Sequence, residues 1–369
     1  MTRAPSRLRR ALAACALSLG AVLAALVLAE VAARLLAPAG VPPDASEAPA
    51  DRAPEGLPVL RTVADLARPH ARGLHKGKPF RTNRDGFRGP EYPYQADPDV
   101  FRILVLGDSF TMGSGVEEWE AYPARLESLL NADAGPARFE VLNFGTSGMN
   151  LRASVRRLVQ FGLAYRPALV VYGFTVNDIE GPAYRRATSA DEAVGHMARY
   201  LRFADSPSYL LRAVWPRLMV LWDLLLPRPG AMGYELNDNY FNNPEAWQDF
   251  TAELDRLAEI SRDAGICVHV LIHTQMAQFN RLHPWRAIYE AVSGAALERG
   301  LSVTETFPAY RSREPAEVRL SFFDGHPNAR GHEILARELL AGLRALPEAC
   351  GLPRPRGTGV PPSAGSNGA

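Results

Sequence analysis

Between Phe101 and Leu346 the chain alternates short apolar runs with amphipathic stretches, and that alternation leaves few folds open to it. Phe101–Leu106, Phe139–Asn143, Leu169–Gly173 and Ile266–His273 read as strands buried on both faces, with a shorter strand near Leu301–Thr304. Tyr122–Leu130 has helical spacing, with Leu126, Leu129 and Leu130 on one face. Leu151–Gly162, Trp247–Ala264 and Trp285–Arg299 read as further helices, and Asn328–Leu346 closes the pattern as a last one. Apolar strands interleaved with helices predict an α/β fold: a parallel sheet covered on both faces. In such sheets active residues gather on loops beyond the carboxyl ends of the strands.

The amino terminus has a different character. Ala11–Ala29 carries no charge, close to the ~20 apolar residues a helix needs to cross a bilayer. Arg3, Arg7, Arg9 and Arg10 precede it, which predicts a cytoplasmic segment 1–10, a transmembrane anchor over 11–35 and an exported remainder. A cleaved signal peptide is the competing reading, but its apolar core is usually shorter. Leu12-Ala13-Ala14-Cys15 has the look of a lipoprotein processing site, yet the arginines directly before it leave no apolar run, so lipidation at Cys15 is rejected. Residues 36–58 are rich in Pro and Ala and read as a linker. The stretch from Leu60 to Tyr94 reads as an irregular segment on the edge of a domain spanning 59–348, and 349–369 as a disordered tail.

One segment breaks the alternation, the insertion at about 179–243. Tyr209–Leu226 within it is apolar but interrupted by Pro216 and too charged for a second span. It reads as a helical insertion, with a lid or a membrane-surface contact as the sharper alternatives.

Composition excludes some classes of function. A net charge of +1 on 369 residues gives no electrostatic case for nucleic acid. The basic residues are almost all Arg, Lys76 and Lys78 being the only lysines, which reads as compositional bias. No cysteine or histidine cluster has metal-ligand spacing, so neither metal nor cofactor is expected. A Cys267–Cys350 bridge is left open.

The chemistry lies at the strand ends. The first strand runs into Gly107-Asp108-Ser109, which places a serine on a sharp turn, although a serine there also serves as a helix cap. The second runs into Asn143-Phe144-Gly145-Thr146-Ser147-Gly148, where Gly148 offers an unobstructed N–H. The third ends at Gly173, with Asn177 four residues on: a turn residue or an amide donor. Before the last helix stands Asp324-Gly325-His326-Pro327, with His326 facing the same end of the sheet and Asp324 placed to orient it. His273 and His332 are competing bases.

These segments resemble the blocks of the SGNH hydrolase superfamily, the GDSL-type esterases, over about Phe101 to Leu346. The resemblance implies a three-layer α/β/α sandwich with a flavodoxin-like sheet. It implies Ser109 as nucleophile, His326 and Asp324 as its partners, and an oxyanion hole of Ser109 N–H, Gly148 N–H and Asn177. The sequence departs twice from the family pattern: Gly173 stands four residues before Asn177, and a single residue separates Asp324 from His326. That short spacing is similar to that of alginate-type O-acetyltransferases in the same superfamily. The expected function is hydrolysis of an acyl ester on a glycan or lipid. An O-acyltransferase and an inert membrane-tethered scaffold are the alternatives, and the oligomeric state stays open.

Overall fold

The computed structural model describes residues 57–133, 137–184, 234–277, 279–280, 283–321 and 324–353, with scattered positions within 18–32 and 202–222. The chain divides into two compact units, Pro43–Arg185 with Leu236–Ala369, and Met1–Pro42 with Arg186–Glu235.

The larger unit is built on a five-stranded sheet. An antiparallel hairpin, β1 (Arg72–His75) and β2 (Lys78–Arg81), precedes it. The sheet strands are β3 (Val100–Gly107), β4 (Arg138–Gly145), β5 (Leu169–Phe174), β6 (Cys267–Ile272) and β7 (Ser302–Glu305), all parallel, in the order β4-β3-β5-β6-β7. This is the strand order of flavodoxin-like sheets, with its switch point beside β3. The five strands fall where the apolar runs predict them. The hairpin does not: an irregular segment was expected there, because neither short strand carries an alternating pattern.

Period two along each strand sends side chains to two separate cores. Leu104, Leu106, Phe144, Tyr172 and Val270 pack against α2 (Leu151–Gln160), α3 (Pro244–Ala264) and α4 (Arg286–Glu298), after α1 (Tyr122–Asp133) has crossed the opposite face. Ile103, Val105, Val141, Val171 and Leu271 pack against α1 and the last helix, α5 (Ala329–Arg344). The helix starts are chemically marked: Asn150 accepts from the Ala153 N–H and Asn328 from the Arg330 and Gly331 N–H groups. A disulfide joins Cys267 to Cys350, so the expected tail is tied to the start of β6 at least as far as Cys350. Residues 354–369 lie outside the described residues.

In the smaller unit, the Glu30 carboxylate accepts from Ser208 Oγ at 2.7 Å and from the Leu210 N–H at 3.0 Å. Among the described residues no helix is long and apolar enough to cross a membrane. Much of the expected anchor 11–35, the linker 36–56 and most of 185–233 lie outside the described residues.

Candidate active site

Ser109, His326 and Asp324 meet at the sheet's carboxyl edge. β3 lies between β4 and β5, so the loop after β3 is flanked by the loops after its two neighbours. Three glycines end these strands in one row: Gly107 pairs with Gly145 on one side and with Gly173 on the other. A single helical turn, Ser109–Met112, rests across the row. A Cβ on Gly107, Gly145 or Gly173 would overlap Thr111, and at Gly173 also Tyr122 Oη and His273 Cε1. The glycines therefore let the turn settle onto the sheet. This explains the first departure from the family pattern, since Gly173 serves the packing of this turn rather than the Asn177 loop.

Asp108 caps the turn, its Oδ1 accepting from the Phe110 N–H at 2.9 Å. Its Oδ2 accepts from Thr175 Oγ1 at 2.9 Å. Burial raises Asp108 above the usual carboxylate range, against these bonds. The far end of the turn is gripped by the buried Arg88, which donates to the carbonyls of Met112 (3.0 Å), Gly113 (2.5 Å) and Val116 (2.7 Å). Ser109 is thus held from both sides by groups that are themselves fixed.

His326 Nε2 lies 2.8 Å from Ser109 Oγ, and its Nδ1 lies 2.5 Å from Asp324 Oδ1. The same carboxylate oxygen accepts the His326 backbone N–H at 3.1 Å, which turns the short Asp-Gly-His spacing into a closed local ring. Burial acts to raise Asp324, but the hydrogen bond and charge of His326, then those of Lys76, outweigh it and hold the carboxyl well below its usual range. Asp324 Oδ2 accepts from Lys76 Nζ at the tip of the β1–β2 hairpin. Gly148 sits with φ of 74° in the exposed turn between β4 and α2, and Asn177 in the turn Val176–Ile179 after β5. The two competing histidines are placed elsewhere. His273 is fully buried, stacked 5.7 Å from Phe110, and His332 accepts the Tyr122 N–H at Nδ1 (3.2 Å). His326 is the histidine that reaches the serine. Sequence reasoning missed Lys76, Arg88 and the capping role of Asp108; the scarcity of lysine was the one signal for the first.

A family model for the GDSL-like lipase/acylhydrolase family matches residues 105–334, which span every one of these strand ends. The chain belongs to the GDSL-like lipase/acylhydrolase family. Its members' chemistry makes this protein a carboxylic ester hydrolase. Solved structures of similar fold include TesA, at 17% identity over 66% of this chain and 98% of that one, with a TM-score of 0.41. They also include the acetylxylan esterase Axe2 from Geobacillus stearothermophilus, at 19% identity over 66% of this chain and 93% of that one (TM-score 0.41). A two-domain esterase, CEX, active on acetylated mannans, is 15% identical over 66% of this chain and 49% of that one (TM-score 0.39). Among curated proteins no match is found.

Proposed function

We propose that this GDSL-family hydrolase is a membrane-anchored serine esterase working outside the cytoplasmic membrane on an O-acyl ester of a glycan or lipid. The observation that carries the mechanism is the chain of contacts from Ser109 Oγ through His326 to Asp324. His326 Nε2 takes the Ser109 proton as the oxygen attacks the ester carbonyl. The Ser109 and Gly148 N–H groups and the Asn177 amide receive the developing oxyanion. As the tetrahedral intermediate collapses, His326 gives its proton to the departing alcohol and leaves an acyl-serine. Water, losing its proton to His326, then attacks the acyl carbon, and His326 passes that proton to the departing Ser109 oxygen as the acid is released. Asp324 holds the imidazole in the tautomer that leaves Nε2 free to accept.

Location outside the cytoplasm is supported by the disulfide, since such bonds persist in oxidising compartments. The uncharged run Ala11–Ala29 behind four arginines supports anchoring. So do the exposed Val22, Leu26, Val27 and Leu28 in the amino-terminal helix and the exposed Leu211, Val214, Leu218 and Trp222 of the insertion. Transfer to a sugar hydroxyl is the second reading, favoured by the Asp324-Gly325-His326 spacing; the acceptor replaces water in the last step.

The test is hydrolysis of an aryl acetate by the full chain in detergent beside Ser109→Ala. Turnover abolished in the variant supports the serine mechanism; turnover that survives overturns it. Appearance of an acylated sugar when an oligosaccharide is added distinguishes transfer from hydrolysis. Recovery of the chain in carbonate-washed membranes, with the carboxyl-terminal part open to external protease in spheroplasts, tests anchoring and side.

A further inference from the structure

Lys76 stands at a place where its backbone and its chemistry both need explaining. Pairing of His75 with Lys78 leaves Lys76 and Gly77 as the two central residues of the hairpin turn, with φ of 48° and 73°. A two-residue turn with both φ positive selects Asn, Asp or Gly at its first position; a lysine there is strained. Such strain is kept where the surroundings hold it and the side chain has work to do. The chain has 41 basic residues, and only Lys76 and Lys78 are lysines.

The side chain of Lys76 crosses to the loop before α5. Its Nζ donates to Asp324 Oδ2 and lies 3.4 Å from His326 Nδ1. Asp324 is thereby divided: Oδ1 serves His326 and Oδ2 serves Lys76. Within the loop, the His326 backbone N–H also binds Oδ1 at 3.1 Å, which leaves Oδ2 to Lys76. The hairpin itself is pinned. His75 lies 2.7 Å from Ser114 Oγ at Nε2 and 3.2 Å from the Leu60 carbonyl at Nδ1, and Lys78 pairs with Glu117 at 3.4 Å. An ammonium is a compact charge with three donors on a flexible stem, which suits a carboxylate already shared with an imidazole.

We propose that Lys76 is a positioning residue of the active site: its ammonium clamps the second oxygen of Asp324, so that the carboxylate is held toward His326 Nδ1 and its charge is divided between the ring and the ammonium. This rests on the reading of Ser109, His326 and Asp324 as one catalytic set. The imidazolium formed during proton transfer is stabilised by Asp324 and opposed by the nearby ammonium. Removing the ammonium gives His326 the whole carboxylate, which favours its protonated form. The other groups facing the ring are Asp108, His75 and His332, and they are the same in every variant compared.

The experiment measures kcat and KM for an aryl acetate against pH in the full chain, with Lys76→Gly, Lys76→Arg and Lys78→Met. Glycine relieves the turn, so Lys76→Gly is expected to keep or raise Tm. The acidic limb of kcat/KM is expected to move up by about one pH unit, so that activity at the acidic end of the profile falls by up to about tenfold with KM little changed. Lys76→Arg keeps the charge and is expected to hold the limb near its original position; Lys78→Met loosens the hairpin but leaves an ammonium on Asp324, so it too is expected to leave the limb in place, whatever it does to the rate. A uniform loss in Lys76→Gly with the limb unmoved reduces Lys76 to a structural contact and overturns the proposal, as does a parental profile. Nitrogen-15 spectra of the His326 ring give a readout that needs no turnover. Titration at higher pH in Lys76→Gly than in the parent supports the proposal even if the ester assay fails; coincident titrations reject it. Loss of the esterase reading shows separately, as activity that survives Ser109→Ala.

Discussion

Gly173 on β5 pairs with Gly107 on β3, and the space their missing side chains leave is filled by Thr111 of the nucleophile turn. Thr111 Oγ1 in turn lies 2.8 Å from Tyr122 Oη, so the turn is fastened to α1 as well as to the sheet. A methyl group at Gly173 would meet Thr111, Tyr122 and His273 together, all of them fully buried. Gly173→Ala is therefore expected to cost about 1–3 kcal/mol, as overpacking in a closed core does. Thermal denaturation measures it. The turn must also move, so esterase turnover is expected to fall with stability, and a variant of parental Tm and rate would refute this account of the glycine row.

Asn177 differs in kind, because it lies half-buried in the turn after β5 rather than packed in the core. On the proposed mechanism, Asn177→Ala removes one donor from the oxyanion and leaves the serine and its base in place. The expected effect is a 10²–10³-fold lower kcat, about 3–4 kcal/mol of transition-state stabilisation, with KM and Tm nearly unchanged. Steady-state kinetics decide it: a rise in KM with kcat unchanged means that Asn177 binds substrate and transition state alike and is no oxyanion donor.

How far the sequence predicts this site depends on how local each signal is. The buried strands announce themselves by apolar runs, and Ser109, Gly148, Asn177 and His326 follow or precede elements whose ends are marked by Gly, Asn or Pro. Lys76 has no such signal, since it meets Asp324 across 248 positions and stands in the turn between two four-residue strands without alternation. Arg88 is similar: it reads as a surface arginine in a turn-rich stretch until its three carbonyl partners are seen. The spacing from Gly173 to Asn177 is visible in the sequence, but its cause is the pairing of Gly173 with Gly107, which only the sheet order reveals.

The Cys267–Cys350 bond closes a loop across 83 positions. Constraining an unfolded chain over that length is worth ~4–5 kcal/mol by chain entropy, and typically about 2–4 kcal/mol in practice. Cys350→Ser is expected to lower the unfolding free energy by that amount, measured by denaturant titration without reductant. Cys267 begins β6, at the end of the sheet opposite Ser109, so turnover at 25 °C is expected to persist. A variant as stable as the parent would mean that the bond does not form in the folded protein.

His273 makes stability depend on pH. It is fully buried, and neither ring nitrogen has a hydrogen-bond partner among the described residues. Burial pushes it down to about 3, and burial together with the charge of His273 pushes His332 well down too. Below the ordinary histidine value the unfolded chain binds protons that the folded chain refuses, so stability present above pH ~6.5 is lost as pH falls toward 3. Asp108 and Asp178, both raised first by burial, act in the opposite sense and offset part of the loss. For His273 alone the loss by pH 4.5 is about 2–3 kcal/mol. His273→Leu removes two unpaired polar atoms, so at pH 7 it is expected to be neutral or mildly stabilising. Denaturant titrations at pH 7 and pH 4.5 should then show the acid-induced loss smaller by about 2–3 kcal/mol than in the parent. An unchanged difference between the two pH values would mean that the ring finds a proton acceptor in the folded state, and that the acid sensitivity has another source.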